Sequence, residues 1–80
     1  LNSNDKHEGR YSVVLLHSVS EALRAEKLLK AESVSIKVIP VPRHLSSDCG
    51  ICVRFERENE SKVGKILAGN NLQLQGIYPV

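Results

Sequence analysis

Cys49-Gly50-Ile51-Cys52 is the one place where reactive side chains fall at a chemical spacing, and it holds both cysteines of the chain. A redox dithiol has this spacing, but there the pair opens a helix that follows a strand. Here it leads into a β-favouring run. Residues three apart in extended chain are separated by about 10 Å, and a disulfide needs Cα atoms within roughly 7 Å, so only a sharp turn at Gly50 would close the pair. For zinc the motif is half of a tetrahedral set. His44, Asp48 or a second subunit would have to complete it, and no metal is expected; retention of zinc on purification would favour that reading. Free cysteine also serves as a small apolar filler, which is the reading taken for Cys52. Cys49, after a polar loop and beside a glycine, is taken as the catalytic thiol.

Four residues are candidate anion or substrate ligands for that thiol, with Gly50 as a fifth participant. Arg43 and His44 lie in the polar loop Pro42–Asp48, and Ser18 and Ser20 open a helical pattern. Arginine is the stronger candidate of the loop pair, because it stays charged and presents a fork of donors. The plainer account makes both of them solvated loop residues.

The elements that must gather these residues follow from periodicity. Tyr11 to Leu16 is β-favouring, and its unbroken Val13, Val14, Leu15, Leu16 predicts a central strand buried on both faces. Ser18-Val19-Ser20-Glu21 fits a capping box. Val19, Ala22, Leu23, Ala25, Leu28 and Leu29 then recur at helical spacing, predicting an amphipathic helix to about Glu32. Ile36 to Val41 is a second strand, stopped by Pro40 and Pro42. From Gly50 to Arg57 the pattern alternates, with Ile51, Val53 and Phe55 on one face and Cys52, Arg54 and Glu56 on the other. Asn59 or Ser61 caps a short helix ending at Gly69-Asn70. Leu72 to Val80 is the last strand, with Pro79 marking it as an edge.

The order β-α-β-β-α-β is the split βαβ, an α+β ferredoxin-like sandwich with a four-stranded antiparallel sheet. Residues 1–10 read as a flexible leader and 11–80 as a single domain. With strand order 4-1-3-2, the helix start at Ser18, the Arg43-His44 loop and Cys49 fall at one end of the sheet. Helix starts and cationic neighbours favour the thiolate, the form of cysteine that attacks and carries. The expected core is Val13, Leu15, Leu23, Leu28, Ile51, Val53, Phe55, Val63 and Leu67. Val14, Leu16 and Ile77 are expected on the uncovered face.

Composition bounds the rest. The chain has 80 residues, 41% hydrophobic and 25% charged, with a net charge of +2. That charge is too small to imply nucleic acid. An RNA-binding sheet of this topology stacks bases on aromatics of its open face, and Phe55 is in phase with the helix-facing residues instead. No apolar run approaches the roughly 20 residues of a membrane span, and no stretch reads as a signal peptide. Neither a membrane nor a cofactor is expected.

The stretch EALRAEKLLKAE followed by IKVIPVPRHLSSDCGICVRF resembles the small bacterial selenium/sulfur carrier protein-like family. The likeness covers about residues 10–80 and is most specific from Pro40-Val41-Pro42-Arg43 to Cys49-Gly50. It implies that Cys49 is the sulfur- or selenium-bearing thiol, while Cys52 is outside the family pattern. The expected protein is a cytoplasmic carrier or accessory protein rather than a stand-alone enzyme. Cys49 would hold a persulfide or selenopersulfide, and the partners would be sulfur- or selenium-donating and accepting proteins. The alternative is a non-enzymatic interaction module that forms a homodimer or binds a partner through its open sheet face. An unexposed Cys49 would favour that alternative.

Overall fold

The computed structural model describes residues 10–45 and 49–80. The expected leader, Arg10 apart, and Ser46, Ser47 and Asp48 of the polar loop lie outside them. The elements are β1 (Tyr11–Leu16), α1 (Val19–Ala31), β2 (Ile36–Pro40), β3 (Ile51–Glu56), a 3-10 turn (Arg57–Asn59), α2 (Glu60–Gly69) and β4 (Leu74–Pro79). The strands form one antiparallel sheet in the order β2-β3-β1-β4. This is the predicted split βαβ sandwich, with Pro79 on an edge strand.

Local chemistry sets the helix limits. Ser18 caps α1, its Oγ accepting the Glu21 N–H at 3.2 Å. Asn59 stands at the start of α2 but makes no side-chain cap bond. Both helices end in the same motif. Ser33 and Asn71 turn into the left-handed region, with φ of 62° and 63°. The next residues, Val34 and Leu72, donate their N–H groups to Leu29 and Leu67, each at 3.0 Å. This satisfies carbonyls that the helix leaves bare, and it presses Val34 and Leu72 onto the core. Leu72 is thereby used in ending α2, which is why β4 begins at Leu74 and not at Leu72. The residue that turns the chain is Asn71, beyond the expected Gly69-Asn70.

Each face of the sheet carries a buried cluster, and the structure reverses one expectation about which residues belong to which. Register pairs Val14 with Val53 and Ser12 with Phe55. Directly opposed residues share a face, so Val14 and Leu16 join Val53 and Phe55 under the helices. Val34, Cys49, Val63, Leu67 and Leu72 belong to this core, and Ile77 packs against it. The three residues expected on the uncovered face therefore face the helices. Val13 and Leu15 face the other way, where with Cys52 they form a second fully buried cluster flanked by Ile39, Val41, Leu45 and Val80. On this face the Arg54 guanidinium lies 4.3 Å from the Tyr11 ring centroid. The Tyr78 ring occupies the space that a side chain at position 76 would need, a close approach that glycine permits.

Leu23 is also corrected, being 44% exposed. The face that α1 buries is Ala22, Ala25 and Leu29. Its first two members are alanines, which let the helix axis lie close to the sheet and leave Leu23 outside the contact.

Candidate functional site

At the end of the sheet where β1 stops, Ser18 opens α1 and Asn70 closes α2. The two helices are tied there by the Arg24 Nη2–H donating to the Asn70 carbonyl at 3.2 Å. β2 and β3 meet at the same end, where the Val41 N–H donates to the Gly50 carbonyl at 3.1 Å. Between them lies a turn closed by the Leu45 N–H on the Pro42 carbonyl at 3.0 Å, and this turn carries Arg43 and His44. Cys49 precedes β3 at this same end, two residues before Ile51.

These residues share an end of the molecule but not a depth. Ser20, Arg43, His44 and Gly50 are exposed, and Ser18 is half-buried with its hydroxyl oxygen engaged as the cap. Cys49 is 2% exposed and packs into the helix-side core.

Cys52 lies on the far face of the sheet, its Sγ 4.0 Å from the Pro40 carbonyl. Burial pushes its thiol up from the ordinary 9.0 to about 11, and a charge on nearby Cys49 adds to the shift. The raised value makes a stability statement. Below pH 9.0 the thiol is protonated in both folded and unfolded chains, and the stabilisation is fully present. Between 9.0 and about 11 the unfolded chain loses the proton first, so stability falls as pH rises. The expected result is an alkaline fall in melting temperature through this window, corresponding to on the order of 2 kcal/mol. Cys52→Ala should flatten that part of the profile, and an unchanged slope in the variant would refute the assignment.

The opposite end of the sheet has features that the sequence reading did not single out. A cavity of about 350 Å³ is lined by Arg10, Glu56, Arg57 and Glu58. A second, of about 220 Å³, is bordered by Tyr11, Lys37 and Arg54 among others. Arg57 donates from Nη2 to the Tyr11 carbonyl at 3.3 Å, and its buried Nε has no hydrogen-bond partner among the described residues. The alternating charges from Arg54 to Glu58 were the signal for this end.

Among the described residues no three His, Cys, Asp or Glu side chains gather into a metal site. No described helix is long and apolar enough to cross a membrane.

No curated protein and no solved structure matches the chain. The family described as "Putative Se/S carrier protein-like" matches residues 10–79, which takes in both helices, all four strands and the Cys49 end of the sheet, and the chain belongs to that family.

Proposed function

We propose that the protein carries sulfur or selenium on Cys49 as a persulfide or selenopersulfide, between donor and acceptor proteins of the cytoplasm. The observation that carries this reading is the family membership. Position supports it, because Cys49 stands at the end of the sheet where α1 starts and where Arg43 and His44 are exposed.

In the proposed step the Cys49 thiolate attacks the outer sulfur of a donor persulfide. The S–S bond of the donor breaks, the donor cysteine leaves as a thiolate, and the outer sulfur is now bonded to Cys49. Delivery is the same exchange with an acceptor thiolate attacking, so no external oxidant or reductant is consumed. Ser18, Ser20, Arg43, His44 and the Gly50 backbone are the proposed ligands for the terminal sulfur anion. Because Cys49 is 2% exposed, exchange requires local opening of the chain around it.

The test is intact mass after incubation with a cysteine desulfurase and cysteine. The expected gain is one sulfur atom, about 32 Da, in the unaltered protein and in Cys52→Ala, and none in Cys49→Ala. Sulfur on Cys52, or no gain with several donors, would overturn the proposal.

The burial of Cys49 favours one second reading, a non-enzymatic module that binds a partner through the sheet face opposite the helices. That reading requires partner binding to survive Cys49→Ala without any sulfur being carried.

A further inference from the structure

α1 leaves outward a face that is apolar at one end and cationic along its length. Val19 is 50% exposed and Leu23 44%. They stand four residues apart, which puts them side by side on the helix surface. The other exposed residues of α1 are Ser20, Arg24, Lys27, Lys30 and Ala31, so every charged member of the exposed face is a cation. Glu21 and Glu26 within the helix lie at the margins of this face, half-buried, and Glu26 is paired with Lys30 at 3.1 Å. The exposed Glu32 stands beyond the last turn at the C-cap, the end away from Val19 and Leu23. Beside the apolar pair, Arg24 donates to the Asn70 carbonyl, and neither it nor Lys27 is paired with an acid among the described residues. Val19 and Leu23 lie in the first turns of α1, at the Cys49 end of the molecule.

We propose that this face of α1 is the docking surface for the protein that exchanges sulfur with Cys49, and that the partner meets it with an acidic surface around an apolar anchor. The role given to the partner rests on the carrier reading; the surface itself rests on exposure and charge. A second copy of this chain is a poor occupant, because a symmetric contact would set Arg24 and Lys27 against their own like charges. An acidic partner would be steered to this face and held by the burial of Val19 and Leu23.

The test uses the full chain in cells, with p-benzoylphenylalanine at position 27, and at position 62 on the exposed side of α2 as the control. A protein photo-cross-linked from position 27 and not from 62 is identified, purified and titrated against the unaltered chain. The expected result is at least about a tenfold loss of affinity in Leu23→Glu and again in Lys27→Glu, with melting temperatures unchanged. A loss of similar size is expected as salt is raised from about 0.05 M to about 0.5 M. Absence of an adduct, an adduct between two copies of the chain, or binding indifferent to both substitutions would overturn the proposal. Loading of Cys49 from inorganic polysulfide is measured in the same variants and should be unchanged. Normal loading with indifferent docking removes the surface alone, and failure of the unaltered chain to load removes the carrier reading alone.

Discussion

Phe55→Ala is expected to abolish the cooperative thermal transition at 25 °C and above. Phe55 is 1% exposed and is the largest fully buried side chain. It sits on β3, paired with Ser12 on one side and Ile36 on the other, beneath the helices. Removing a buried phenyl ring costs about 3–5 kcal/mol through lost burial and the cavity left behind. One core of a domain this small supplies about the same 3–5 kcal/mol in total. The substitution therefore consumes the whole margin. Far-UV circular dichroism on heating checks it, with Phe55→Leu as a variant that fills most of the space and keeps its melt. A sharp transition in Phe55→Ala, lowered by only a few degrees, would mean that β3 is not the centre of the core.

The second large effect separates two leucines that helical and strand periodicity alone would treat alike. Leu15 is fully buried on the sheet face away from the helices, and Leu23 is an exposed residue of α1. Leu15→Asp places a carboxylate among Val13, Cys52 and their apolar neighbours. There the charge must be neutralised or hydrated by opening the structure, at a cost of several kcal/mol. The chain should be unfolded at neutral pH. Leu23→Asp should shift stability by no more than about 0.5 kcal/mol, as exposed substitutions generally do. Urea melts of the two variants decide the matter. Similar midpoints would show that the face opposite the helices is not a core.

The element order was readable because each boundary has its own chemical mark: Ser18 before α1, Pro40 as the last residue of β2 with Pro42 just beyond it, Pro79 on the edge strand. β3 was readable in phase as well, since Ile51, Val53 and Phe55 alternate with polar residues or cysteine. β1 was not. Val13, Val14, Leu15 and Leu16 form an unbroken run, so either pair could face the helices, and a slip by one residue exchanges the faces completely. Only the pairing of Val14 with Val53 fixes the choice. Leu23 was misjudged because helical spacing shows which residues are apolar, not how narrow the contact is when alanines make it. At the candidate site, topology brought Ser18, the Arg43-His44 turn and Cys49 to one end. The depth of Cys49 had no signal in the sequence, because a cysteine after a polar loop reads the same whether it is a few ångströms above the core or inside it.

The position of β1 has a consequence for biosynthesis. This strand is made first, yet its two neighbours, β3 and β4, come from the middle and the end of the described chain. Until β4 is made, Tyr11-Ser12-Val13-Val14-Leu15-Leu16 lacks a partner along one side. These six residues carry no charge and no proline and are rich in β-branched and aliphatic side chains, the composition of segments that stack into cross-β assemblies. β4 is an edge strand, and its hydrogen-bonded neighbour in the sheet is β1. Fraying of β4 therefore uncovers the β1 edge as a template for aggregation, and a tighter β4 would protect it.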